Sequence, residues 1–214
     1  MKDLVIIGAG DFGREIANVV ERINNVRTEW NLMGFVDDNT EIQGKVIDGY
    51  KVIGTSEWLN ASDKEIYAIC SLGVASTRKK VITKFTNEKI KWATLIDPDA
   101  RLYKDSEAGK GSIICGGSIL AINAKVHDHV IVNLNCTLGH DDMIGDYNVV
   151  NPGVNVSGKV TTGECVDLGT GSKVIQGLSV GQNTTVGAGA VVIKDLPENC
   201  VAVGVPAKPI KFKE

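Results

Sequence analysis

The chain has 214 residues, a formal net charge of −3 at pH 7, and 43% hydrophobic but only 5% aromatic residues. That length suits one large or two small domains with a substantial core, and the interspersed, nearly balanced charge excludes the basic face expected of a nucleic-acid or anionic-membrane binder. Five widely spaced cysteines, Cys70, Cys115, Cys136, Cys165 and Cys200, make no CxxC pair and no disulfide framework, and read as packing residues.

In chain order, residues 3–7 form an apolar run, followed by Gly8-Ala9-Gly10-Asp11-Phe12-Gly13 and a stretch with Ile16, Val19, Val20 and Ile23 at helical spacing. Strand, glycine-rich turn and helix in that order form a phosphate-cradling unit. A second strand is predicted over 32–36, ending on Asp37-Asp38, then a hairpin-like stretch over 44–54 and a short helix over 56–59. A third strand over 66–70 leads to Ser71-Leu72-Gly73, a helix over 75–85 and a last short strand over 91–96. The order β-α-β-β-α-β predicts a small Rossmann-like α/β domain over 1–97, with Asp97-Pro98-Asp99 as the boundary to a second domain over 98–214. The opening run is too short for a signal-peptide core and no apolar stretch would span a bilayer, so the expected location is the cytoplasm.

From Ile114 onward a period of six sets in. Positions 114, 120, 126 and so on to 192 are aliphatic in thirteen of fourteen cases, and the exception, Thr162, is β-branched. Gly follows at 139, 145, 163, 169, 181 and 187, and four residues after each aliphatic stands a mostly small or β-branched residue. Six fits neither a helix nor a simple alternating strand, so it is a repeat. Short strands with one inward aliphatic, turning at corners suited to Gly, Asn and Asp, stack into a three-sided solenoid. Aliphatics such as Val154 and Val160 are expected near its faces.

All three histidines, His127, His129 and His140, lie in the repeat. His140 is followed by Asp141; an imidazole takes a proton near neutral pH and an adjacent carboxylate fixes its tautomer and supports the imidazolium. His127 and His129 bracket Asp128 and are expected to alternate along a strand; they are the reserve candidates for a base, and a metal site is not expected. In the front half, Gly8, Gly10, Gly13 and Asp37 also match a dinucleotide-binding fingerprint, but a domain ending near 97 lacks a second mononucleotide half for the nicotinamide end.

The repeat, the closing Val203-Gly204-Val205-Pro206-Ala207-Lys208, and the opening Gly8–Gly13 and Gly34–Asn39 stretches together resemble the hexapeptide-repeat acyltransferases. The likeness is to the branch holding sialic-acid O-acetyltransferases and N-acetyltransferases of nucleotide-linked amino sugars. The resemblance implies a left-handed parallel β-helix, a homotrimer, and direct acetyl transfer from acetyl-CoA with His140 as general base beside Asp141. It implies coenzyme A contacts at Gly153, Thr170 and Ala188 in the groove between neighbouring solenoids, with Val149 where some members carry histidine. It also implies sugar-nucleotide contacts at Asp11, Phe12, Gly13, Asp37, Asp38, Gly73 and Asn133. Phe12 stands where the amino-sugar enzymes commonly carry histidine. The favoured acceptor is a nucleotide-linked amino sugar; the rival acceptor is a sialic-acid or related hydroxyl, and the rival from another class is an NAD-binding or non-catalytic trimeric scaffold.

Overall fold

A computed structural model describes residues 1–213, which form two compact units, Met1–Asp97 and Pro98 onward. In the first, β1 (Lys2–Ile7), β2 (Trp30–Val36), β4 (Tyr50–Gly54), β5 (Ile66–Cys70) and β6 (Ile90–Trp92) pair in parallel, and β3 (Val46–Ile47) closes the sheet as the antiparallel arm of a hairpin. The strand order is β3-β4-β2-β1-β5-β6. Leu4, Val5, Ile6 and Ile7 are all buried, the continuous apolar run of a central parallel strand covered on both faces.

Helix α1 (Asp11–Val26) buries the stripe Ile16, Ala17, Val19, Val20 and Ile23. Two further helices, α2 (Ser56–Asn60) and α3 (Ala75–Ile82), follow β4 and β5. Helix α3 stops three residues short of the predicted end at 85, and the run 91–96 divides into β6 and a separate strand, Leu95–Ile96. At the end of this unit Asp97 is buried and held by Arg22 through two hydrogen bonds, 2.8 and 3.1 Å.

The second unit is a parallel β-helix of two-residue strands, each coil advancing 18 residues. Face one carries Ile113–Ile114, Ile131–Val132, Val149–Val150, Asp167–Leu168 and Thr185–Val186. Face two carries Arg101–Leu102, Ile119–Leu120, Thr137–Leu138, Asn155–Val156, Lys173–Val174 and Val191–Val192. Face three carries Glu107–Ala108, Lys125–Val126, Met143–Ile144, Thr161–Thr162 and Ser179–Val180. Strand Cys200–Val203 adds to face one and pairs antiparallel with Lys208–Phe212.

The hexad has a physical reason at each position. Its aliphatics stack inward and are buried from Ile114 to Val192. Thr162 departs from the rule because its hydroxyl accepts from Gly145 N at 3.0 Å and from the Asn148 amide, so a buried polar pair replaces an aliphatic contact. The glycine after the aliphatic answers to coil spacing rather than to φ: a Cβ on Gly139 would lie 2.3 Å from Gly158 N in the next coil. Positive φ falls two residues later, at Asn123, Asn135, Asp141 and Asn183 among others, where a short polar side chain tolerates the left-handed region.

Val154 and Val160 are fully buried inside the prism, not near its faces as expected. In the regular coils the large exposed apolar residues are instead at corners and faces: Tyr103, Ile122, Ile175 and Ile193 on the edge between faces two and three, Leu134 on the edge between one and two, and Met143 on face three.

Candidate active site

His140 stands on the edge between faces two and three, in the corner that joins Thr137–Leu138 to Met143–Ile144. Its Nδ1 lies 2.8 Å from Asp141 Oδ2, and half of its side chain is exposed. A carboxylate acceptor at Nδ1 assigns the proton to that nitrogen and leaves Nε2 as the free base. The left-handed backbone of Asp141, φ +61, turns its short side chain back onto the ring.

Asp141 is anchored in turn by Asn123 Nδ2, 3.1 Å from Oδ1, in the coil before. The hydrogen bond from His140, then that from Asn123, hold the Asp141 carboxyl below the usual carboxylate range. In the coil after, Gly158 lies against the imidazole: a Cβ there would be 2.5 Å from His140 Nε2. The backbone closes the stack, with Asp141 N donating to Ile122 O (3.0 Å) and Lys159 N to His140 O (2.8 Å).

Below the corner Asp142 is fully buried and accepts from Gly139 N at 2.7 Å and Val160 N at 2.9 Å. Burial pushes its carboxyl up to about 7. Asn123, Asp142 and Gly158 were not singled out by the sequence. The only signal was a carboxylate at 142, in a column where small, hydroxyl or apolar residues dominate.

Gly153, Thr170 and Ala188 fall in three successive coils on the edge between faces one and two, and Asn133 is one coil before them. Gly153 has open space where a side chain would be, and Thr170 and Ala188 are exposed. The structure thus brings the four residues of this edge into one column and keeps them a full face away from His140 and Asp141. Val149, beside that column, is buried.

In the front unit, Asp11 is exposed in the first turn of α1 and pairs with Arg14 at 3.3 Å, while Phe12 is half-buried. Gly13 is buried against the turn, where a Cβ would lie 2.2 Å from Gly8 O; its requirement is helix–turn packing. Both oxygens of Asp37 serve the backbone, Oδ2 accepting from Ala9 N and Oδ1 from Asn39 N, each at 2.9 Å. Asp37 therefore ties the glycine-rich turn to the end of β2, in place of the free ribose-binding acid that the fingerprint requires. Asp38 accepts from Ser56 N through Oδ1 at 2.7 Å, leaving Oδ2 open to the surface.

Gly73 has open space at its Cα. Its loop is held by Ser71, whose hydroxyl is 3.0 Å from both Ile7 O and Gly8 O, and by the fully buried Arg78, which donates to Leu72 O at 2.7 Å. Ser71 and Arg78 were missed by the sequence analysis. A charged residue on the apolar stripe Ala75, Arg78, Ile82 of α3 was the available signal.

His127 and His129 occupy a corner between faces three and one, not a strand. His127 is exposed, 3.9 Å from Asp146, while His129 is buried at φ +58 and stacks on Tyr147 with ring centroids 5.2 Å apart. They share neither a side nor the edge of His140. Among the described residues no group of His, Cys, Asp or Glu side chains is placed to hold a metal ion, and no helix is long and apolar enough to cross a membrane.

The PglD N-terminal domain family matches residues 3–85. The acetyltransferase domain of PglB from Neisseria gonorrhoeae FA1090, solved in complex with acetyl coenzyme A, is 32% identical with a TM-score of 0.87, covering 98% of this chain and 99% of that one. PerB from Caulobacter crescentus, solved with CoA and GDP-perosamine, is 26% identical with a TM-score of 0.88, covering 99% and 98%. GDP-perosamine N-acetyltransferase from Escherichia coli O157:H7 is 27% identical over 212 residues, 96% of this chain and 95% of its own. The β-helix, the α/β front unit and these full-length likenesses lead to one conclusion: the chain belongs to the hexapeptide-repeat acetyltransferases that join a PglD-type N-terminal domain to a left-handed β-helix.

Proposed function

We propose that the protein transfers an acetyl group from acetyl-CoA to the amine of a nucleotide-linked amino sugar, with His140 as general base and no covalent acyl-enzyme. The observation that carries this reading is the His140–Asp141 contact of 2.8 Å, beneath a glycine that leaves Nε2 room to work. Acetyl-CoA supplies an activated thioester carbonyl. As the acceptor amine bonds to that carbon, His140 Nε2 takes the proton the amine loses, and Asp141 stabilises the imidazolium through Nδ1–H. The carbon–sulfur bond then breaks, and the proton returns from Nε2 to the departing thiolate.

The edge bearing Gly153, Thr170 and Ala188 is low and open, which suits a long co-substrate held through backbone groups. The loops bearing Phe12, Asp38 and Gly73 are candidates for the sugar nucleotide. Relatives solved with acetyl coenzyme A, and with CoA and GDP-perosamine, support these two classes of ligand. Because the base and the proposed coenzyme edge lie on opposite sides of face two, one chain does not bring them together. The reading therefore includes a homotrimer in which one subunit's His140 edge meets its neighbour's coenzyme edge.

The test is a mass-spectrometric screen of nucleotide-linked amino sugars with acetyl-CoA. A product carrying one acetyl group in place of one amine hydrogen is expected with a nucleotide-linked amino sugar. Acetylation of sialic acid with none of any amino sugar would overturn the acceptor assignment.

A further inference from the structure

Asp142 occupies the inward corner position that Ser112, Ser118, Ala124, Cys136 and Val160 fill at other corners. The structural task at that position is visible elsewhere. Ser112 Oγ accepts from Val130 N, Ser118 Oγ from Cys136 N, and Asn148 Oδ1 from Val166 N, each 18 residues on. A hydroxyl or an amide is enough for it. Asp142 performs the same task with Oδ1 towards Val160 N, yet places a second oxygen on Gly139 N, the amide that precedes His140. A fully buried carboxylate is a costly way to do what serine does, so its second bond and its charge call for another explanation.

We propose that Asp142 is a positioning residue for His140, fixing the Leu138–Gly139 peptide just before it through the Gly139 amide and lending negative charge to the imidazolium formed during transfer. The inference rests on the reading of His140 as general base. The charged groups acting on the Asp142 carboxylate are His140, which favours its anion, and Asp141, which opposes it. Lys159, in the coil after, acts on Asp141. The column neighbours Ala124 and Val160 carry no charge. Burial sets the Asp142 carboxyl at about 7, against the two amide bonds that pull it down, so its charge is lost on mild acidification. The enzyme then has, beside the exposed Asp141, whose carboxyl is held below the usual range, a second acid whose support for the base depends on pH.

Two variants separate positioning from mere packing. Asp142→Asn keeps an acceptor for Val160 and the side-chain volume but removes the charge; Asp142→Ser reproduces the arrangement of Ser112 and Ser118. Both are expected to remain folded at pH 7.5, although each takes the carboxylate acceptor from Gly139 N and Asp142→Asn turns an amide donor towards it. Each should lose about tenfold in kcat at pH 7.5, one pKa unit of differential interaction, with the KM of each substrate within about twofold. The wild-type decline of kcat between pH 8 and 6 should be steeper than in either variant. A kcat within about twofold of wild type and a superimposable pH profile would overturn the inference. So would kcat losses that track losses of melting temperature and raised KM for both substrates. His140→Ala is the control: if it retains more than about a third of wild-type kcat, far from the loss expected for a base, the general-base reading itself fails and Asp142 has no base to position.

Discussion

The imidazole of His140 is aimed by three neighbours in successive coils: Asn123 holds Asp141, Asp141 holds Nδ1, and Gly158 lets the ring lie flat against the next coil. Each has its own signature. Gly158→Ala places a methyl about 2.5 Å from Nε2, so the ring must swing away; misplacement of about 1 Å can cost about 10²-fold in rate. The expected outcome is a large fall in kcat with little change in melting temperature, measured on the same preparation. His140→Ala should cost ~10²–10⁴-fold in kcat with little change in either KM. If the acceptor is an amine, residual activity should recover partly as pH rises and free amine accumulates, whereas a sugar hydroxyl shows no such recovery near neutrality. Asp142 adds a stability effect whose sign is fixed. Its folded pKa is raised, so the stability it contributes is fully present below the ordinary carboxylate value and is lost as pH rises through about 7. Relative to Asp142→Asn, the wild-type melting temperature should fall between about pH 4 and 7 and run parallel above.

At the scale of elements, the two strand-to-helix loops of the front unit are tied by side chains, of which the fingerprint assigns only Asp37 to a ligand. Asp37 secures the glycine-rich turn through Ala9 and Asn39, and Arg78 with Ser71 secures the loop at Gly73. Removing Asp37 leaves two backbone donors without their partner, at about 1–3 kcal/mol for each that stays buried, so Asp37→Ala should lower the melting temperature. Asp38→Ala should instead raise the KM for the sugar nucleotide, leaving kcat and the KM for acetyl-CoA largely intact. Equal changes in both KM values would remove Asp38 from the nucleotide site. The sequence made the solenoid legible because one buried column repeats its chemistry every six residues, and it made His140 legible because an imidazole beside a carboxylate is chemically distinctive. It did not reveal that Asp37 faces the turn, or that Gly158 faces His140. Those contacts join residues 28 and 18 positions apart, and no local pattern records which carboxylate a backbone amide will claim.

On the scale of the whole molecule, the proposed chemistry is divided between two edges of the prism. His140 and Asp141 lie on one, with exposed Ile122 in the coil before and exposed Ile175 two coils after. Gly153, Thr170 and Ala188 lie on the other, near exposed Leu134. Apolar residues at both edges fit a head-to-tail contact of unlike surfaces, which closes into a ring when the rotation allows. Light scattering should give three times the mass of 22.8 kDa, and a stable monomer at micromolar concentration would sink the shared site. A sharper test mixes two inactive proteins. His140→Ala lacks the base but keeps an open coenzyme edge; Thr170→Trp keeps the base but fills its own edge. In randomly assembled trimers from equal amounts, a site is complete only where a base-bearing subunit meets an open edge on its neighbour. With two independent choices of one in two, about a quarter of the sites are restored. Co-expression should therefore recover about a quarter of wild-type activity, although each parent alone is nearly inactive. If each subunit carried a complete site in itself, every mixed trimer would stay as inactive as its parents, and no ratio of the two variants would recover activity.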